Sequence, residues 1–258
     1  MRQVFVVGIG TGDPDHLTFQ AAKLLARADV VFIPLKGEEK QALADLRREI
    51  MRRHGHPGQR VVEFALPRRR TEGIGYAEGV AEWHAAIARL YASLLREHLG
   101  EDRAGAFLVW GDPMLYDSTL RILDRVRALN AVPFAVTIVP GITSIQALAA
   151  SHAIPLNAIG QPVTITTGRR LRESFPDPAG TAVVMLDGEQ AFLNLDDPET
   201  TIYWGAYLGL PQEVVIAGKL GAVKDRIVET RAALRAEHGW IMDIYLLHRA
   251  EAEAADEA

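Results

Sequence analysis

Two glycine–aspartate turns carry the residues whose types and spacing best suit chemistry. The first, Gly8-Ile9-Gly10-Thr11-Gly12-Asp13-Pro14, follows the apolar run Val4–Val7. The second, Gly111-Asp112-Pro113, follows the apolar run Ala106–Val109. The spaced glycines of the first turn suggest a dinucleotide fingerprint, but Asp13 stands where that pattern needs its third glycine. Glycine permits a tight turn and close backbone approach to a ligand, and proline stiffens the turn. A carboxylate there opposes phosphate, whose sites want backbone N–H groups, helix N-termini and cations. The Walker lysine pattern is absent. Where a ribose-binding acid would follow the second strand, the sequence reads Pro34-Leu35-Lys36-Gly37, with Glu38 and Glu39 only beyond. A nucleotide without phosphate suits these turns better. S-adenosylmethionine is such a molecule, combining a sulfonium cation, an amino acid and a ribose. A single Gly-Asp-Pro turn is usually only a turn, but two acidic turns capping neighbouring strands are harder to reduce to that.

Other chemistries find no support. There is no Gly-x-Ser-x-Gly nucleophile elbow and no His-Glu-x-x-His zinc helix. His54 and His56 flank Gly55 beside Pro57 and Gly58, which reads as a solvated turn, so no metal site is expected. The absence of cysteine removes disulfides, thiolate catalysis and cysteine-ligated metals. A net charge of −5 gives no basic surplus for nucleic acid, and the four tryptophans and six tyrosines do not interleave with a basic stripe. No apolar run approaches the roughly 20 residues of a membrane span, and Met1-Arg2-Gln3 leads straight into a strand rather than a signal peptide. A cytoplasmic protein is the expectation.

The elements that must position the turns follow from hydrophobic patterning. The 258 residues suffice for one large core or two ordinary ones. Short apolar runs alternate with amphipathic stretches, which predicts an α/β fold. Strands are expected at Val4–Val7, Val30–Ile33, Val61–Phe64, Ala106–Val109 and Val136–Val139. Their blocky composition suits parallel strands covered on both faces. Helices are expected after Thr18 as N-cap, over Glu82–Leu99 and over Ser118–Leu129. Beyond Ser144 come a helix over Ile145–Ala153 and strands at Val163–Thr166, Ala182–Leu186, Val214–Ala217 and Ile241–Leu247. A helix spans Lys224–His238. Loop residues crowd Phe175–Gly180, and the tail Ala250–Ala258 reads as frayed. The pattern divides into two α/β domains, residues 1–142 with a mainly parallel sheet and residues 143–258 with a mixed one. Ligands of such sheets bind at the carboxyl ends of the strands.

With these residues in view, the chain resembles the tetrapyrrole (corrin/porphyrin) methylases. Their first-strand turn GxGxGDxxxLT is matched by Gly8 to Asp13 with Leu17-Thr18. Their Gly-Asp-Pro loop after the fourth strand is matched by Gly111–Pro113. Their junction into the second domain is matched by Val139-Pro140-Gly141-Ile142-Thr143-Ser144, followed by Ile154-Pro155-Leu156. Many relatives have proline where Thr11 stands. The stretches FLVWGDPMLYDSTLRIL, VPGITSIQALAASHAIPLN, ITTGRRL, VVMLDGEQAF, IYWGAYLG and GWIMDIYLL extend the likeness to residue 247. They point within the family to a branch that methylates C1 of the precorrin-5 macrocycle with loss of its acetyl group as acetate.

The resemblance implies a cleft between the two domains, with S-adenosylmethionine bound there and S-adenosylhomocysteine as product. Its contacts would be Gly111, Asp112, Pro113, Leu115, Thr143, Ser144, Met185, Leu186 and Gly218. The tetrapyrrole would meet Gly10, Gly12 and Asp13. Its acetate and propionate rim calls for arginines, with Arg169 and Arg170 as candidates and Arg68–Arg70 a second cluster; both clusters also read as solvated charge. Acetyl release wants a base and an oxyanion donor. Tyr116, Asp117, His16 and Glu189 sit in candidate loops, and the sequence does not choose among them. Tyr116 and Asp13 are the catalytic candidates, although Asp13 reads equally as a turn cap and Asp117 or Ser118 as a helix cap. A homodimer is implied by the family. Methylation of another ring position, methylation of diphthine and a non-catalytic nucleotide-binding module remain as alternatives.

Overall fold

The computed structural model describes residues 1–35, 41–70, 72–174 and 180–249. The candidate acids Glu38 and Glu39, the loop at 175–179 and the tail Ala250–Ala258 lie outside the described residues. The chain divides into two compact units, Met1–Thr143 and Ser144–Ala258.

The first unit runs β1 (Arg2–Gly8), α1 (Phe19–Leu25), β2 (Val30–Leu35), α2 (Gln41–His54), β3 (Arg60–Ala65), α3 (Tyr76–His98), β4 (Ala104–Val109), α4 (Thr119–Ala128) and β5 (Phe134–Val139). Its sheet has the order β3-β2-β4-β1-β5, and every pairing is parallel. Alternate residues of a strand face opposite sides, and both sides are covered. Val4, Val6, Phe32, Phe107 and Val109 pack with Ile87 and Tyr91 of α3 and Ile122 of α4. Phe5, Val7, Ile33 and Leu108 pack with Leu25 of α1 and Ile50 of α2. This double burial is why the strands read as apolar blocks. Thr18 caps α1, its hydroxyl accepting from the Ala21 N–H at 3.1 Å.

Two helices of the first unit depart from the sequence reading. Patterning gave no sign of α2, because its apolar stripe is sparse and much of its surface is charged. Ion pairs of Arg48 with Asp45 and of Arg52 and Arg53 with Glu49 cover that surface. Helix α3 begins at Tyr76, earlier than expected, on a Gly75 cap that supplies no side-chain acceptor.

The second unit contains α5 (Ser144–Ser151), β6 (Val163–Thr167), α6 (Gly168–Glu173), β7 (Gly180–Met185), β8 (Thr201–Ala206), β9 (Val214–Lys219), α7 (Leu220–His238) and β10 (Asp243–Arg249). Its sheet, ordered β6-β7-β10-β8-β9, is mixed. Strand β6 runs parallel to β7, whereas β10 is antiparallel to both β7 and β8, and β8 to β9. Strand β8 escaped the sequence reading although its Trp204 is fully buried. Helix α7 ends on Gly239 at φ 74°, a left-handed cap that glycine adopts without strain.

The order of the first sheet fixes where a ligand site belongs. From β1 the chain crosses β4 to reach β2; from β4 it crosses β1 to reach β5. The adjacent carboxyl ends of β1 and β4 therefore send the chain in opposite directions, which makes a topological switch point. Both glycine–aspartate turns sit there.

Candidate functional site

At the switch point the two turns are bonded to each other. The Gly111 N–H donates to the Gly10 carbonyl at 2.8 Å, and the Gly10 N–H to the Gly111 carbonyl at 3.4 Å. Gly10 and Gly111 have φ of 79° and 66°, in the left-handed region that favours glycine. The turn after β5 joins them. A Cβ on Gly141 would lie 2.2 Å from the Gly111 carbonyl oxygen, and one on Gly8 would lie 2.6 Å from the Gly141 nitrogen. Three backbones thus meet, with no room for a side chain at Gly8 or Gly141.

Asp112 fastens this junction. Its Oδ1 accepts from the Met114 N–H at 2.7 Å and its Oδ2 from the Gly141 N–H at 2.8 Å. The side chain is buried, 8% exposed. Sequence reasoning named Asp112 for the ligand; the geometry shows a carboxylate that shapes the loop which would meet it. Pro113 is buried beside it, Leu115 is half-buried, and Met114 stands out into solvent. Thr143 lies at the same junction, its Cα 3.8 Å from where a Gly111 Cβ would be.

Asp13 caps its turn, its Oδ1 accepting from the Asp15 N–H at 2.8 Å at the head of a 3₁₀ turn, Pro14–His16. Thr11, where many relatives have proline, is buried and its hydroxyl meets His16 Nδ1 at 3.2 Å. Asp117, rather than Ser118, supplies the capping oxygen for α4, accepting from the Thr119 N–H at 2.7 Å. Tyr116 sits between these turns at φ 51° and is 45% exposed. A bulky residue at positive φ is strained, and such strain concentrates at functional sites.

In the second unit β7 ends at Met185, and Leu186 turns away at φ 54° with 67% of its surface exposed. Behind it Asp187 is buried, its Oδ2 accepting from the Tyr245 hydroxyl and the Ala191 N–H, each at 2.6 Å. Arg231 donates to the Asp187 carbonyl at 3.3 Å and to Asp243 Oδ2 at 2.9 Å, and Trp204 Nε1 donates to Asp243 at 3.1 Å. Burial pushes the Asp243 carboxyl and the Tyr245 phenol upward. Sequence reading missed this network, because its members lie far apart in the chain and carry no motif spacing. It fixes the β7 end, and it meets α6: a Cβ on Gly168 would collide with Asp187 Oδ1 at 2.1 Å.

Arg169 and Arg170 start α6, next to Met185 through the Thr167–Met185 pairing. Both are exposed. Arg170 pairs with Glu173 at 2.7 Å, and Arg172 pairs with Glu189. In the other cluster, Arg70 pairs with Glu82 at 3.2 Å and Arg69 lies over the Tyr76 ring. Gly218 has φ 154° in β9 and is separated from β7 by β10 and β8. Ser144 opens α5. Among the described residues no cluster of three His, Asp or Glu side chains can hold a metal, and no helix is long and apolar enough to cross a membrane.

Comparison with known proteins agrees with this architecture. Residues 3–224 match the family Tetrapyrrole (Corrin/Porphyrin) Methylases. A precorrin-6A synthase [deacetylating] of Sinorhizobium sp. is 60% identical over 250 residues, covering 96% of each chain. The crystal structure of a cobalamin-synthesis-related protein of Corynebacterium diphtheriae superposes with a TM-score of 0.84 at 42% identity, covering 96% of this chain and 99% of that one. The uroporphyrin-III C-methyltransferase of Thermus thermophilus, solved with S-adenosylhomocysteine, gives 0.59 at 23% identity over 95% of this chain and 92% of that one, a likeness of fold. The parallel sheet, its paired glycine turns and these matches lead to one conclusion: the chain belongs to the tetrapyrrole (corrin/porphyrin) methylases.

Proposed function

We propose that the protein is an S-adenosylmethionine-dependent C-methyltransferase that methylates precorrin-5 at C1 and releases acetate, giving precorrin-6A in aerobic cobalamin biosynthesis. The observation that carries this reading is the 60% identity to a precorrin-6A synthase over 96% of both chains. The cofactor fits the turns chemically. Residues 8–18, 110–118 and 139–144 contain no lysine or arginine, so nothing there balances a phosphate, while carboxylates and apolar surface suit a sulfonium and an adenosine. The cofactor brings a methyl group already activated by its positive sulfur.

Positioning is then the protein's main task, since in-line geometry supplies most of the effect in such a transfer. The rigid Gly111–Leu115 turn, Thr143, Ser144, Met185, Leu186 and Gly218 form the proposed cofactor contact set. Gly10, Gly12, Asp13, Arg169 and Arg170 are the proposed substrate contacts. Acetyl release needs water added to the ketone, a proton removed from that water, and the carbon–carbon bond broken with its electron pair entering the conjugated macrocycle. The Tyr116 hydroxyl is the proposed donor to the developing oxyanion. Asp13 Oδ2, which takes no hydrogen bond among the described residues, is the proposed base. The reading includes a homodimer, which the family resemblance supports, located in the cytoplasm. Two measurements test it: calorimetric binding of S-adenosylhomocysteine, and mass spectrometry of precorrin-5 incubated with protein and S-adenosylmethionine. No binding leaves a methylase untenable, and an acetylated product or an unreacted macrocycle overturns the assigned reaction.

A further inference from the structure

The β2–β4 ladder stops at the rung Phe32–Phe107, although β2 and β3 stay paired as far as Leu35–Ala65. Beyond that rung a cavity of about 100 Å³ lies between the strand ends and the helices above them. Arg47 of α2, Tyr91 of α3, Phe107 and Leu108 line it from within, and the half-exposed Trp83 and Trp110 line its outer part. Trp110 immediately precedes the Gly-Asp-Pro turn.

Arg47 is the unusual member, because its side chain is charged and only 5% of the residue is exposed. Its Nε donates to the Leu108 carbonyl at 3.1 Å, a group left free on the β2 side where the ladder ends, and its Nη1 donates to the Leu43 carbonyl at 2.7 Å. Among the described residues no carboxylate comes within the 4.0 Å of an ion pair with Arg47, and its hydrogen bonds there are these two, from Nε and Nη1. Asp117 also lines the cavity; its Oδ1 accepts from the Thr119 N–H, and its charge acts on Arg47 from beyond ion-pair distance. Tyr91, equally buried as a residue, lines the same cavity, and among the described residues no hydrogen bond to its hydroxyl is seen. Desolvation lowers the Arg47 guanidinium to about 10, which still leaves it charged at neutral pH.

A buried cation that touches no carboxylate is costly for a fold, and the Arg47 guanidinium and the Tyr91 ring both line this one polar cavity. We propose that this cavity binds a carboxylate arm of the substrate, with Arg47 and Tyr91 as its donors. A guanidinium pairs with a carboxylate through parallel N–H bonds, and the volume admits a short arm but not a ring. The idea rests on the tetrapyrrole reading above, which supplies an arm-bearing macrocycle.

The test has two parts. Sodium propionate, compared with sodium chloride at equal ionic strength, should raise the melting temperature of the wild type saturably, and that response should vanish in Arg47→Met. Uroporphyrin III titrated against tryptophan fluorescence should bind about 10–100-fold more weakly to Arg47→Met and about 3–10-fold more weakly to Tyr91→Phe, with S-adenosylhomocysteine affinity unchanged. Should Arg47→Met fail to fold, Tyr91→Phe in both titrations decides. A wild type indifferent to propionate, or uroporphyrin affinity unaltered in the variants, overturns the proposal. Retained propionate binding in a wild type that leaves precorrin-5 unmethylated supports the carboxylate site while removing the assigned reaction.

Discussion

At Asp112 a carboxylate that the sequence marks for a ligand is engaged by backbone, through the Met114 and Gly141 N–H groups. Asp112→Ala leaves both donors unmade in a buried place, which should cost about 1–3 kcal/mol of stability. It should also weaken S-adenosylhomocysteine by loosening the turn. Thermal unfolding and calorimetry would show the two losses together, and a variant that binds normally would take the turn out of the site. Tyr116 is the opposite case: it is exposed, strained and unpartnered among the described residues. Tyr116→Phe should slow acetate release more than methyl transfer, so that a methylated, still-acetylated intermediate builds up in quenched-flow mass spectrometry. If the two products stay locked together, the hydroxyl has no separate role.

Among the elements, the loops that follow β1, β4 and β5 form a single unit through glycine. Gly141→Ala drives a methyl group into the Gly111 carbonyl and Gly8, an overpacking expected to cost about 1–3 kcal/mol and to reduce S-adenosylhomocysteine affinity. Gly75→Ala, where an added Cβ meets nothing within 4 Å, is the control and should shift stability by less than about 0.5 kcal/mol. Equal melting temperatures for the two variants would contradict the close-packed junction. The glycine turns were legible because close backbone approach leaves a mark in residue type. The strands were legible because burial on both faces leaves an apolar block. Helix α2 was not, because its many charged residues leave few apolar positions to mark the buried face. Arg47 went unread with it, since a lone arginine in a basic stretch looks like solvated charge until the fold buries it.

On the scale of the whole molecule, each unit brings a sheet whose strand ends carry the candidate residues: the glycine junction in the first, the Leu186 turn and the α6 arginines in the second. The residues a sequence motif can name are those close together in the chain. The Asp187–Tyr245–Arg231–Asp243 network, assembled from three separate segments, becomes visible only when β7, α7 and β10 are folded together. The account's central claim is one reaction at one carbon. Precorrin-5 incubated with the protein and S-adenosylmethionine carrying a ¹³C-methyl group, followed by carbon NMR, tests it most directly. The account predicts a single labelled methyl on the quaternary C1, with acetate appearing in equal amount. A label at any other ring position, or a labelled product that keeps its acetyl group, would contradict it.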